Sequence, residues 1–211
     1  ILTSHVEMKA MKEIRIGLVG YNFMGKAHSN AYLKVGKFFP LSVHPVLKSL
    51  CGRTEEKVKA VAENWGWERY DTDYETMLKA GDIDLIDIST PNNSHRDIAV
   101  MAAEQGIHIV CEKPLSMNSG EAREMAAAVE KSGVRHMIWF NYRRVPAVSL
   151  ARQIISEGRI GEIRHFRAVY LQDWITDADF PLVWRLQKDI AGSGAHGDLN
   201  RLHALDRLHS P

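Results

Sequence analysis

Glu13-Ile-Arg-Ile-Gly-Leu-Val-Gly20-Tyr-Asn-Phe-Met-Gly25-Lys-Ala-His28 is the stretch that decides the fold of this chain. Apolar residues alternate and then run together from Ile14 to Val19, the pattern of a strand buried on both faces. Gly20 breaks the run, and a helical pattern follows over about 24–35. Strand, glycine turn and helix in that order open a dinucleotide-binding unit. A diphosphate must approach the backbone closely, so the turn excludes bulky side chains. The helix start then offers unpaired N–H groups and the positive end of its dipole. The pattern G-x-G-x-x-G is met as Gly20-x-Asn22-x-x-Gly25, with asparagine at the second glycine. Asparagine tolerates left-handed backbone better than most residues, so the turn is still expected to form. Gly20, Asn22, Phe23, Met24 and Gly25 are the candidate cofactor contacts. By itself the motif also fits a turn that binds nothing.

Outward from that stretch, Pro40, Pro45 and Gly36 mark a connecting loop over 36–45. A second strand is expected over 46–51, followed by Gly52-Arg53-Thr54 and a helix capped by Thr54. NAD-binding folds usually carry Asp or Glu at this strand end, whereas Arg suits a 2′-phosphate. Arg53 with no acid beside it points to NADP(H) ahead of NAD(H); stacking of Arg53 on the adenine of either cofactor is the other reading. Further strands are expected near 70 and over 83–90, 108–114 and 135–141, alternating with helices over 73–80, 95–105 and 121–131. Six strands alternating with helices give an α/β fold with a doubly wound parallel sheet. Ligands in such sheets bind at the carboxyl ends of the strands. The polar clusters at 20–25, 52–54, 90–95, 112–114 and 141–144 all fall at such ends.

The 211 residues carry a net charge of +1, which gives no pull toward nucleic acid or a membrane surface. No run approaches the ~18 apolar residues of a membrane span. Cys51 and Cys111 sit in strand-like runs and are expected to be buried, reduced thiols of a cytoplasmic protein. No metal is expected. Residues 1–11, with Met8 and Met11 but no initial Met, read as a leader or tail. Residues 12–144 form the dinucleotide-binding domain, and 145–211 begin a second domain. That second part shows a helix over 147–157 and strict alternation over 162–172, a half-exposed strand of an antiparallel or mixed sheet. A helix is expected over 198–206.

The order of these motifs resembles the Gfo/Idh/MocA oxidoreductases, over about 15–206. The matching pieces are Gly20-Tyr-Asn-Phe-Met-Gly-Lys-Ala-His, Thr90-Pro-Asn-Asn-Ser-His, Glu112-Lys-Pro, Asn141-Tyr-Arg-Arg, Trp184-Arg and Gly192-Ser-Gly-Ala-His-Gly-Asp. The resemblance implies a Rossmann domain followed by an α+β substrate domain with a mostly antiparallel sheet. It implies NAD(P)-dependent hydride transfer to or from a secondary alcohol of a sugar, inositol or related polyol. Carried over, Lys113 would contact the reacting hydroxyl, Asp198 would orient the substrate and His203 would act as general base. Thr90, Pro91, Asn92 and His95 would line the cofactor groove, with Glu112, Lys113 and Asn141 at neighbouring strand tips. Arg144, Trp184 and Arg185 would lie near nicotinamide or substrate. Glu112 is expected to pair structurally, and Trp139, Phe140, Trp174 and Trp184 to form core or groove wall. A homo-oligomer is implied for the full-length form.

Two departures from the family stand out. Its Asp and His lie four apart, whereas Asp198 and His203 lie five apart. On a helix that interval separates them by ~140°, against ~40° for four residues. The chain also stops at Pro211, which leaves the 162–172 strand without partners and reads as truncation. The alternatives are a non-catalytic NAD(P)-binding module and an inactive truncated product.

Overall fold

The computed structural model describes residues 11–167 and 169–192. Asp198, His203 and the expected helix over 198–206 lie outside the described residues, as does most of the leader. The strands are β1 (Lys12–Val19), β2 (Val43–Cys51), β3 (Arg69–Asp71), β4 (Leu85–Ile88), β5 (His108–Cys111) and β6 (His136–Ile138). Between and after them run α1 (Phe23–Phe38), α2 (Glu55–Trp65), α3 (Tyr74–Lys79), α4 (His95–Glu104), α5 (Ser119–Ser132), α6 (Pro146–Ser156) and α7 (Lys188–Ala191).

All six strands pair in parallel, in the order β3-β2-β1-β4-β5-β6. The order reverses at β1 and β4, so the crevice above their carboxyl ends is the switch point of the sheet. Both faces are covered. Ile16, Leu18, Leu47 and Leu50 pack with Val58, Ala62 and Trp67 on one side. Val19, Ile86, Ile88 and Ile109 pack with Met77, Ile98, Ala102, Met125 and Val129 on the other. That double cover is why these strands read as apolar runs rather than as alternation.

Local chemistry sets the element ends. Asp73 caps α3 by accepting from the N–H groups of Glu75 and Thr76, and Asn118 caps α5 by accepting from Glu121 N–H. Glu121 reaches back to accept from Met117 N–H at 2.9 Å, a reciprocal cap. Gly66 (φ +74°) and Gly133 (φ +71°) close α2 and α5 in the left-handed conformation.

Two expectations are corrected. The 36–45 loop is shorter than its glycine and prolines suggest, because α1 continues to Phe38 and β2 begins at Val43. Pro45 sits within β2 where β3 does not reach, so its missing N–H leaves no ladder bond unmade on that side. The strand expected over 162–172 takes no strand pairing among the described residues. Alternation supplies two faces but not the neighbouring backbone that a strand must hydrogen-bond.

Candidate active site

Three glycines draw the strand tips and α1 onto one point. Gly20 turns at φ +108° and donates its N–H to Cys51 O at 2.9 Å. A Cβ on Gly20 would meet Ser89 O at 2.7 Å, and one on Gly25 would meet Gly20 O at 1.9 Å. A Cβ on Gly52 would lie 2.0 Å from the ring of Tyr21. The tips of β1, β2 and β4 therefore close against each other with α1 directly above.

Asn22 is where the sequence expectation fails in detail. Its φ is −75° and ψ −154°, ordinary extended backbone, so no left-handed turn is asked of it. It stands at the start of α1, and its side chain makes no cap hydrogen bond there. The first turn carries no acidic residue. The first helical bond runs from Lys26 N–H to Asn22 O at 3.0 Å, so the amides of Phe23, Met24 and Gly25 precede the helical ladder. Asn22 and Phe23 are exposed and Met24 half-buried. A cradle that any Cβ would fill, under amides that take no partner among the described residues and with no carboxylate in the first turn of α1, fits a dinucleotide diphosphate.

Against Gly20 lies the turn after β4, with Thr90 N 3.2 Å from where a Gly20 Cβ would stand. The Ser94 hydroxyl lies 2.7 Å from Thr90 Oγ1 and 2.8 Å from Pro91 O, which fixes this turn. Asn92 and His95 point inward, contrary to the expectation that they line the groove. Asn92 Nδ2 donates to Ala191 O at 2.8 Å and so docks α7 onto the turn. His95 is fully buried, with Nε2 2.9 Å from Thr90 O and Nδ1 3.0 Å from Pro114 O. Burial holds its imidazole below the usual histidine value against the pull of those carbonyls. Carbonyl oxygens of the chain's own backbone stand beside both ring nitrogens, and the neutral ring that burial favours donates to one of them, so His95 is enclosed between two loops of the site.

Lys113 is half-buried at the tip following β5, and its backbone N–H donates to Glu112 Oε2 at 3.0 Å. Glu112 is itself buried, 7% exposed, as the structural pairing expected of it requires. Its partner is one that sequence reasoning missed. His28 of α1 lies between Asp87 Oδ2 (2.9 Å from Nδ1) and Glu112 Oε1 (3.2 Å from Nε2). Tyr32 Oη and Trp139 Nε1 also donate to Asp87, at 2.8 and 3.2 Å. The available signal was Asp87 itself, an acid set between Ile86 and Ile88 in a central strand.

The remaining candidates lie further out. Arg53 is exposed just beyond β2. Asn141 is exposed, and its Oδ1 accepts from Tyr142 N–H at 2.9 Å. Arg144 is exposed; Trp184 is half-buried with the Arg185 guanidinium 4.5 Å over its ring. Cys51 and Cys111 are free, buried thiols.

Residues 14–140 match the model of the oxidoreductase family with an NAD-binding Rossmann fold, and 148–209 match the GFO/IDH/MocA C-terminal domain. The chain belongs to the Gfo/Idh/MocA oxidoreductases. Among relatives in this family, it is 46% identical over 197 residues to levoglucosan dehydrogenase of Pseudarthrobacter phenanthrenivorans, across 93% of this chain and 50% of that protein. It is 30% identical over 151 residues to D-apiose dehydrogenase of Paraburkholderia graminis, across 72% of this chain and 38% of that protein. A solved complex of levoglucosan dehydrogenase with NADH and levoglucosan superposes with a TM-score of 0.90 at 45% identity, covering 93% of this chain and 54% of that one. An oxidoreductase domain protein from Kribbella flavida superposes with a TM-score of 0.89 at 50% identity, covering 94% and 54%. The chain thus spans about half the length, or less, of the curated Gfo/Idh/MocA relatives it matches. No helix among the described residues is long and apolar enough to cross a membrane.

Proposed function

We propose that this chain carries the cofactor half, and part of the substrate half, of an NAD(P)-dependent dehydrogenase acting on a secondary alcohol of a sugar or related polyol. The division lies near 144–145, and the intact enzyme is a cytoplasmic homo-oligomer. The observation that carries this reading is the glycine-closed cradle at the start of α1, joined to the Glu112-Lys113-Pro114 tip through His28 and Glu112. When bound, the cofactor supplies hydride acceptance at nicotinamide C4.

The chain's own residues do the rest. The amides of Phe23, Met24 and Gly25 hold the diphosphate with the positive end of the α1 dipole. Thr90 and Pro91 shape the opposite wall. Lys113 donates to the reacting hydroxyl and stabilises the oxygen as its proton leaves, which lowers the cost of releasing hydride. Asp198 orients the sugar and His203 takes the hydroxyl proton. Arg144, Trp184 and Arg185 border the sugar side. NADH in the relative's complex makes NAD(H) the first cofactor to test. The exposed Arg53, with no acid at the end of β2, supports acceptance of NADP(H) as well.

The five-residue interval between Asp198 and His203 supports a second reading, a dinucleotide-binding module that does not turn over sugar. Fluorescence titration with NADH and NADPH tests the cradle. A screen of anhydro-sugars, aldoses and inositols with NAD⁺ and NADP⁺ then separates enzyme from module. Saturable binding with turnover is expected; binding without turnover leaves the second reading, and no binding by folded protein removes both.

A further inference from the structure

The buried cluster under the site has a donor pattern that fixes its charge. Asp87 is wholly buried and His28 is 8% exposed. Each of the four carboxylate oxygens faces a donor. Asp87 Oδ1 receives Trp139 Nε1 at 3.2 Å, and Oδ2 receives Tyr32 Oη at 2.8 Å. His28 Nδ1 lies 3.1 and 2.9 Å from those same two oxygens. Glu112 Oε1 faces His28 Nε2 at 3.2 Å, and Oε2 receives Lys113 N–H at 3.0 Å. A neutral imidazole donates from one nitrogen only and would turn a lone pair on one carboxylate. With both carboxylates ionised, only the imidazolium serves both. Burial alone would push this histidine down, but the hydrogen bonds and charges of Asp87 and Glu112 outweigh it and raise it to about 9. Ser89 Oγ, 3.2 Å from Nδ1, and the tilted Trp139 ring, 5.1 Å away, complete the surroundings.

The cluster also spans the site. His28 and Tyr32 stand on the helix whose start forms the diphosphate cradle. Asp87 lies on β4, Glu112 at the tip of β5 and Trp139 just past β6. We propose that His28 is a positioning residue for Lys113: its ring, donating from both nitrogens, pins the Glu112 carboxylate, which holds the Lys113 backbone. In this arrangement α1 and the tip that carries Lys113 move as one piece. The inference rests on the role given to Lys113 above. It goes beyond that role by naming what sets the direction of Lys113, and from which helix.

The test uses the full chain and His28→Gln, with Glu112→Gln as the second variant. Ring ¹⁵N shifts of His28 should show both nitrogens protonated at pH 7.5. In His28→Gln, hydrogen exchange at the Lys113 amide should quicken at least about tenfold beyond any change at the Ile86 and Ile109 amides, a local release rather than global loosening. NADH affinity should stay within about threefold while turnover falls about tenfold or more, the mark of an interaction made in the chemical step. Glu112→Gln, which keeps one acceptor oxygen for two donors, should quicken exchange at Lys113 in the same direction by a smaller factor, and it carries the test if His28→Gln does not fold. Exchange at Lys113 that only tracks the core amides, or a singly protonated His28 ring, overturns the inference. Wild-type protein that binds no NADH sinks the proposed function, while the exchange at Lys113 still decides this one.

Discussion

Gly25→Ala concentrates the structural argument in one methyl group. The added Cβ would sit 1.9 Å from Gly20 O, where real Cβ contacts essentially never fall below 3.0 Å. Relief therefore needs a shift of at least 1.1 Å (3.0 minus 1.9) between the start of α1 and the tip of β1. The obstacle is backbone, held by the φ of +108° and by the Gly20 N–H bond to Cys51 O, so no side chain can swing away. Overpacking of this kind costs about 2–3 kcal/mol. With a urea dependence of roughly 2 kcal/mol per molar, the unfolding midpoint should drop by about 1 M. A displacement near 1 Å in a positioning element can cost on the order of 100-fold in function, so NADH affinity should fall at least about tenfold. Urea unfolding and tryptophan-quench titration with NADH measure the two effects. Gly66→Ala is the control: unlike Gly25, Gly66 is left-handed (φ +74°), and a Cβ on it would meet nothing within 4 Å. It should cost about 1–2 kcal/mol and leave affinity alone. Wild-type midpoint and wild-type affinity in Gly25→Ala would refute the cradle.

Four further outcomes follow from the same geometry. Because the folded-state value of His28 is raised to about 9 from 6.5, its contribution to stability is complete below pH ~6.5 and lost as pH rises through about 9; urea midpoints from pH 6 to 10 should therefore fall more for wild type than for His28→Gln. Asp84 is held down at about 2 by Arg15, so that pair stabilises above pH ~3.8 and is lost as pH falls through about 2; with side chains 40% and 37% exposed, Arg15→Ala should cost under about 1 kcal/mol by chemical denaturation at pH 7. Burial pushes the Cys51 thiol up to about 12 and raises Cys111 too, so Ellman's reagent at pH 8 should label neither until the protein unfolds, and rapid labelling of the native protein would contradict the packing. Arg53→Ala should weaken NADPH about tenfold and spare NADH; equal losses would assign Arg53 to adenine stacking, and no loss would take it out of the site.

The fold is legible because its signals are local. Apolar runs bounded by glycine mark buried strands; helix starts are read less surely, since Asp73 and Asn118 accept from first-turn amides whereas the expected cap Thr54 stands at the start of α2 without a side-chain bond. Where the signal depends on a neighbour, the sequence misleads. Residues 162–172 alternate as a strand should, yet alternation cannot supply the adjacent backbone that turns an extended segment into a strand. Asn22 invites a left-handed turn by its residue type, while φ of −75° shows that the geometry needs no such tolerance.

The site divides on the same ground. Its expected place at the strand tips follows from the fold alone, because a doubly wound sheet places ligands there. The direction in which each polar side chain points cannot, because the deciding partners are remote: His95 answers to a carbonyl 19 residues on, Asn92 to one 99 residues on, and Glu112 to His28 across 84 residues. Polar type at a strand tip therefore mixes groups that face the ligand with groups that brace the loops carrying them. Asp87 shows how the two can be told apart earlier. A carboxylate inside an apolar central strand is too costly to bury alone, so it predicts a buried donor or cation on whichever helix crosses that strand. His28 meets that need from α1, three residues past Gly25, with its Nδ1 2.9 Å from Asp87 Oδ2, so the partner of the buried carboxylate sits one helical turn from the glycine-closed strand tips.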